Sequence, residues 1–139
     1  MFHNRVWFIA PMNTPQELAD YLTKYSSLVG CAGFEHAGYL YLNDSTSADG
    51  AAEYGIVRKS DLVQIESMTF GWFGNDERWR EVEHETRDQY WARYHSAKRT
   101  EILSEIKRIS AHVYDGANYG TIRPEQITYD KSHHCGLCA

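Results

Sequence analysis

The sequence predicts an α+β fold, an antiparallel meander sheet in the order β-α-β-β-β-α that is packed by one short and one long helix. Two observations predict it. Short apolar or alternating runs, bounded by polar turn residues, are typical of strands. One short and one long segment carry apolar residues at helical spacing, on either side of three of those runs. We therefore expect helices to cover one face of the sheet.

Length and composition indicate one domain. The chain has 139 residues, and a chain of this size buries roughly two-thirds of its unfolded surface. Its hydrophobic fraction is 42%, with ten Tyr, five Phe and four Trp, so a core can form without a disulfide or a metal. We predict a single α+β domain over residues 1–131 and a C-terminal tail, 132–139, on which folding does not depend.

The first strand and the first helix are predicted near the N-terminus. Residues 6–10 form a short apolar run that is typical of a buried strand and ends at a proline. Thr14, with Glu17 three residues later, fits a capping box, and a second proline lies at the first helical position. Apolar residues then recur at helical spacing, so we predict a helix over 15–29, ended by Gly30.

Three further strands are predicted as an antiparallel meander. They cover residues 38–42, 53–58 and 62–70. A loop around Cys31 precedes the first of them, and a polar loop over 43–51 separates the first from the second. The opening strand can join this meander on either edge.

The long helical segment extends from 76 to 114 without a proline or a glycine. At 1.5 Å per residue, about 38 residues would reach almost 60 Å, which exceeds the width of such a domain. We therefore predict that the helix either breaks, at 94–96, or projects and pairs with a second copy in a homodimer. A short strand is predicted at 126–129.

Charge and hydropathy argue against two classes of partner. The net charge is −5, and the basic residues of the long helical segment alternate with acidic ones, unlike the basic stripe of a nucleic-acid-binding protein. No apolar run approaches the roughly 20 residues that a bilayer requires. The N-terminus lacks a signal-peptide layout, and three cysteines, an odd number, are typical of reduced thiols. We expect a cytoplasmic protein.

The C-terminal tail carries the densest set of metal-ligating side chains. Thiolates and imidazoles are the preferred ligands of zinc, and Cys-x-x-Cys spacing lets two sulfurs bind one ion. Adjacent histidine side chains diverge, however, so Cys31, His36 or a second copy would have to complete the site. The alternative is an exposed tail that binds metal opportunistically. The predicted metal ligands, with zinc as the one candidate cofactor, are His133, His134, Cys135 and Cys138.

The polar loop and the residue that follows it form a second candidate site. Its predicted ligand-binding residues are Asn43, Asp44, Ser45, Asp49 and Glu53. The carboxylates at 44, 49 and 53 can meet around a divalent cation, and a loop between strands is a usual place for function. The same residue types also form turns without any ligand.

The function predicted from these observations is binding rather than catalysis. The chain has no Gly-x-Ser-x-Gly elbow and no glycine-rich loop that would cradle a phosphate. We predict a small acidic binding or accessory module whose partner is a protein or a small ligand. The alternatives are a zinc-binding module that uses the tail and a metal-assisted enzyme that uses Asp44, Asp49 and Glu53.

Overall fold

The computed structural model describes residues 5–24, 32–46, 51–72 and 84–129. Within these ranges it contains a six-stranded mixed sheet and two α-helices, so the predicted α+β class is confirmed. The strands are β1 Trp7–Pro11, β2 Ala32–His36, β3 Tyr39–Thr46, β4 Ala51–Arg58, β5 Val63–Trp72 and β6 Ile127–Tyr129. The helices are α1 Pro15–Lys24 and α2 Arg87–Ala111, and a 3-10 turn covers Pro124–Gln126.

The strand order in space is β5-β4-β3-β2-β1-β6, with β1 parallel to both of its neighbours and the other pairs antiparallel. The predicted β-α-β-β-β-α order was therefore wrong. Strand β2 lies where a loop was predicted after Cys31. The prediction missed this strand because Ala32 and Gly33 have low β-propensity, and only pairing on both sides places them in the sheet. Strand β6 lies where a short strand was predicted, and it adds a parallel edge beside β1.

Local capping signals set the starts of both helices. At α1, the Glu17 amide donates to Thr14 Oγ1 over 3.1 Å, as the sequence predicted. At α2, Thr86 and Gln89 form a reciprocal capping box, so the helix begins at Arg87. Helix α2 then continues through 94–96, and the predicted break there was wrong. Its 25 residues span about 38 Å at 1.5 Å per residue, a length that the domain accommodates without a break.

The sheet buries apolar side chains on both of its faces. On the helix-covered face the strands contribute Ala10, Phe34, Tyr41, Tyr54, Ile56, Ile65 and Met68, and the helices contribute Leu18, Leu22, Ile102, Ile106 and Ile109. On the opposite face, which we call the second face, the buried cluster consists of Trp7, Ile9, Leu40, Leu42, Val57 and Ile122.

The second face is covered by residues 116–126, which we call the crossing segment. It pairs with the start of β5, where the Gln64 amide donates to the Gly120 carbonyl over 2.7 Å. It then packs Ile122 into the second-face cluster and ends beside β1 at the opposite edge of the sheet. This path closes the apolar cluster from solvent because it spans the sheet from one edge to the other.

Gly33 on β2 makes room for the second-face cluster. A Cβ atom at Gly33 would lie 2.5 Å from Cδ1 of Ile9 and 3.2 Å from Cδ2 of Leu42. The indole Nε1 of Trp7 on β1 donates to the Asn43 carbonyl on β3 over 2.9 Å. Because β2 lies between those strands, the indole reaches over it, and the space that a side chain at Gly33 would take is filled by Cδ1 of Ile9.

The C-terminal end of α2 is joined to β5 by a group of polar side chains around Glu66. The Glu66 carboxylate accepts hydrogen bonds from the Arg108 guanidinium and the Tyr114 hydroxyl. Arg108 also donates to Glu105 over 2.7 Å. Burial raises the pKa of Glu66, but the hydrogen bonds from Arg108 and Tyr114 outweigh it, and the pKa is lowered. Burial and the bond to Glu66 raise the pKa of Tyr114 to about 12.

We expect the variant Glu66→Gln to weaken the dependence of stability on acid pH. The folded-state pKa of Glu66 lies below its unfolded value of about 4.3. The carboxylate therefore stabilises the fold above that pH, and this contribution is lost as the pH falls through the lowered pKa. Urea unfolding at pH 6 and pH 3 should show that the variant costs about 1 kcal/mol at pH 6 and less at pH 3.

The control for this experiment is Glu101→Gln, which removes an exposed carboxylate whose ion pair with Lys98 spans 3.4 Å. An exposed pair of this kind contributes little to stability. Equal losses at the two pH values for Glu66→Gln would contradict the predicted role of Glu66.

Candidate functional site

Of the polar loop that the sequence predicts over 43–51, residues 43–46 and 51 are strand, and residues 47–50 lie outside the described part of the chain. Strand β3 extends to Thr46 and β4 begins at Ala51, so the loop prediction was wrong for 43–46. Pairing of Asn43, Ser45 and Thr46 with β4 and the bonds from Arg5 to the Asn43 and Asp44 carbonyls hold this stretch in the sheet, which overrides the low β-propensity of Asn and Asp. Asp49 lies outside the described residues. Ser45 lies in β3, and its side chain is outside what the structure describes.

Asp44 is the extra residue of a β-bulge. Asn43 pairs with Tyr54 and Ser45 pairs with Glu53, which leaves Asp44 without a partner on β4. A bulge of this kind re-aims side chains and is common beside functional sites. Here it brings Asp44 to the same cleft as Glu53.

Asn43 is separated from the other predicted site residues. Along β3 it follows Leu42, which lies on the second face, so its side chain lies on the helix-covered face. It is 0% exposed, and neither its amide oxygen nor its amide nitrogen has a partner among the described residues. An unpaired buried amide costs about 1–3 kcal/mol. The structure therefore brings Asp44 together with Glu53 and does not bring Asn43 to them.

The cleft that holds these two carboxylates lies on the second face, and we call it the second-face cleft. Its volume is about 390 Å³, and its lining residues are Asp44, Glu53, Gln64, Glu66, Ser67 and Tyr119. Strands β3, β4 and β5 supply the first five, and the crossing segment supplies Tyr119. Gly55 lies two residues after Glu53 on β4, between Leu42 and Ser67 of the neighbouring strands. Because Gly55 has no side chain, nothing projects from the sheet at this point of the cleft.

Gln64 also lines the cleft, and sequence reasoning missed it. The residue is 3% exposed, and its amide Nε2 donates to the Glu66 carbonyl over 3.3 Å. Its Oε1 has no hydrogen-bond partner within the described part of the chain. Ile65 is the extra residue of a second β-bulge. It packs on the helix-covered face, while Gln64 pairs with Val57. The one sequence signal was a lone polar residue between two apolar ones at the start of a predicted strand.

The charges of the second-face cleft are only partly compensated. The guanidinium of Arg5 lies 3.9 Å from the Asp44 carboxylate and donates to the backbone carbonyls of Asn43 and Asp44. Glu66 pairs with Ile56 on β4, so its carboxylate lies with Arg108 on the helix-covered face and adds no charge to the cleft. Glu53 makes no ion pair or side-chain hydrogen bond with any described residue. Asp44, Arg5 and Glu53 together therefore leave one negative charge at this end of the cleft.

Comparison with protein-family models, with curated proteins and with solved structures found no match to this chain. Neither described helix is long and apolar enough to cross a membrane.

The predicted zinc ligands His133, His134, Cys135 and Cys138 lie outside the described residues, as does Cys31. His36, a candidate fourth partner, is buried in β2, and its Nδ1 lies 2.9 Å from the Met12 carbonyl oxygen, to which it donates. Among the described residues, no group of three or more His, Cys, Asp or Glu side chains could hold a metal ion. The zinc site in the tail stays a prediction.

Proposed function

We propose that this protein is a small binding module whose second-face cleft takes a positively charged group of a small ligand. The observation that carries the proposal is the position of Asp44 and Glu53 in one cleft, where the two carboxylates have one nearby cation among the described residues, Arg5.

The donor that suits this cleft is cationic. The carboxylates of Asp44 and Glu53 accept hydrogen bonds, and Arg5 is the one nearby cation among the described residues. Hydrogen bonds from ammonium or guanidinium groups to carboxylates are about twice as strong as neutral ones. The net charge of −5 further raises the local concentration of cations around the protein.

Tyr119 supports the same ligand class. It lines the cleft and is 66% exposed, so its ring is accessible at the cleft opening. Aromatic rings attract ammonium and guanidinium groups through their electron-rich faces. A ligand bound to the acceptors can therefore also contact this ring.

The role is binding rather than catalysis in this proposal, and we place the module in the cytoplasm because its odd number of cysteines favours a reducing compartment. The competing ligand is a divalent cation, as in a metal-assisted enzyme, and the shared position of Asp44 and Glu53 favours that alternative. It would need a further ligand, for which the sequence offers Asp49. A protein partner and a homodimer through α2 stay predictions.

The test is a titration of the isotope-labelled protein with butylammonium chloride, followed by amide chemical shifts. We expect saturable shifts at residues around the second-face cleft. The variant Glu53→Gln should weaken binding about tenfold, because a hydrogen bond to a charged group is worth about 1.5–3 kcal/mol. Circular dichroism would establish that the variant is folded.

The matched control is Glu101→Gln, which removes the same charge from the exposed surface of α2. It should leave the affinity unchanged within about twofold, since exposed charges are strongly screened. Binding of Mg²⁺ in place of butylammonium would favour the metal-assisted alternative and overturn the proposal. An absence of binding by both cations would overturn it as well.

A further inference from the structure

We infer that the dipeptide Asp115-Gly116 is a site of spontaneous modification, at which Asp115 isomerises to isoaspartate and thereby shifts Tyr119 at the opening of the second-face cleft. An aspartate that precedes a glycine isomerises when its carboxyl group and the next backbone nitrogen can approach each other. The chain that leads from the end of α2 into the crossing segment meets this condition.

The reaction consumes nothing but water, which it also releases. The backbone nitrogen of Gly116 attacks Cγ of Asp115 and loses its proton, the carboxyl group loses one oxygen, and water leaves as a five-membered succinimide forms. Water then adds to one of the two ring carbonyls. Opening at the side-chain carbonyl restores aspartate, whereas opening at the main-chain carbonyl gives isoaspartate, in which the main chain runs through Cβ and Cγ. The mass of the protein is unchanged.

Both reacting groups of this dipeptide are accessible. Asp115 and Gly116 are exposed and lie outside the helices and strands. The Asp115 carboxylate is near enough to Arg58 to interact with it electrostatically, but it makes no hydrogen bond or ion pair with any described residue. The Gly116 amide donates to no group in the described part of the chain. Its φ of +83° is one that glycine adopts readily, and a Cβ atom there would meet no atom within 4 Å, so the nitrogen can be approached.

The other aspartates of the described ranges are held in place. The carboxylate of Asp61 accepts from the Arg58 guanidinium over 2.7 Å, and the next amide, that of Leu62, donates to the Arg58 carbonyl over 2.8 Å. Regular helix or strand structure fixes the backbone on both sides of the remaining three, which are Asp20 in α1, Asp44 in β3 and Asp88 in α2. A succinimide ring cannot close without breaking these elements, so Asp115 is the reactive one among them.

Isomerisation affects the crossing segment because Asp115 lies between two anchored positions. On one side the Tyr114 carbonyl accepts a hydrogen bond from Arg58 Nη1 over 2.6 Å. On the other side the Tyr119 amide donates to the Gln64 carbonyl over 2.8 Å. Isoaspartate lengthens the main chain between these anchors by one bond of about 1.5 Å. Residues 115–118 have to take up this length, so the backbone at Tyr119 shifts, and with it the ring that lines the cleft.

The test follows the purified protein in neutral buffer at physiological temperature over several weeks. Digestion with endoproteinase Asp-N, which does not cleave before isoaspartate, and mass spectrometry would measure the modified fraction at each aspartate. We expect isoaspartate to form about tenfold faster at 115 than at the other described aspartates, since glycine leaves the attacking nitrogen unhindered. The rate should lie within about threefold of that in a peptide of residues 111–121, because an exposed segment reacts without prior unfolding.

The matched control is Asp115→Glu, which keeps the charge but would have to close a six-membered ring, and it should form no product at this position. In aged wild-type protein the amide signals of Tyr119 and Gly120 should each appear twice, whereas aged Asp115→Glu should keep a single set.

Two results would overturn the inference. One is isomerisation more than about tenfold slower in the folded protein than in the peptide, which would show that the fold protects the dipeptide. The other is a modified fraction at 115 without a second set of signals at Tyr119. Neither measurement uses a ligand, so both leave the proposed function of the second-face cleft to its own titration.

Discussion

Replacement of Trp7 by alanine is expected to lower the free energy of unfolding by about 3–5 kcal/mol. The side chain is 0% exposed and is the largest member of the second-face cluster. Its removal leaves a cavity that β2 cannot shift to fill, since β2 is fixed by pairing with β1 on one side and β3 on the other. The Asn43 carbonyl also loses its bond from the indole. The free energy of unfolding of a domain is about 5–15 kcal/mol in total, so the variant should be near the limit of folding.

Urea denaturation followed by far-ultraviolet circular dichroism would measure this loss without relying on tryptophan fluorescence. The control is Val6→Ala at the preceding position, whose side chain is 43% exposed. Its effect should stay within about 0.5 kcal/mol. If the two variants differed by less than about 1 kcal/mol, Trp7 would not be the centre of the second-face cluster.

The variant Gly33→Val is expected to lower the free energy of unfolding by about 2 kcal/mol, within the range for overpacked cores. Intrinsic propensity predicts the opposite sign, because valine is a better strand residue than glycine. Packing decides here, since even a Cβ atom would lie 2.5 Å from Ile9 Cδ1 and 3.4 Å from Trp7 Cβ.

Gly33→Ala provides a graded comparison for this second variant. The Ile9 contact involves the end of a flexible side chain, so alanine should cost less than valine. The same thermal and urea unfolding series can include both variants. A valine variant that is as stable as the wild type, or more stable, would show that strand propensity outweighs packing at β2.

Trp7 and Arg5 also connect this cluster to the second-face cleft. Both donate to the Asn43 carbonyl, and Arg5 donates to the Asp44 carbonyl as well. These bonds lie at the β-bulge that directs Asp44 toward Glu53. The packing of the N-terminal strand therefore positions one of the two carboxylates on which the proposed function depends.

The features that could be predicted from the sequence are those encoded locally. Thr14 with Glu17 indicated the start of α1 because a capping box needs only residues four positions apart. The capping box at Thr86 and Gln89 was present in the sequence too, but the uninterrupted helical pattern before it drew the predicted start back to residue 76. The α+β class followed from the two kinds of hydrophobic periodicity.

Strand β2 could not be predicted, because its residues form a strand only through their neighbours. Ala32 and Gly33 favour strand structure weakly, and the parallel pairing with β1 and the antiparallel pairing with β3 supply the hydrogen bonds and the burial. The residues of the candidate site fall into the same two groups, those that the sequence indicates locally and those that only the fold brings together. Asp44 and Glu53 could be named from their type and spacing, whereas Gln64 and Tyr119 join them through contacts between distant parts of the chain.

The sequence by itself determined the class of fold, the helix-capping signals and the concentration of acidic groups near residues 44 and 53. Only the tertiary structure decided which of these groups share a surface. Strand alternation places Asn43 and Asp44 on opposite faces of the sheet, a bulge of one residue leaves Asp44 out of the pairing with β4, and the crossing segment brings Tyr119 to the cleft. Side-chain alternation has a period of two, so one inserted residue reverses the face that follows, and such an insertion depends on strand pairing rather than on composition.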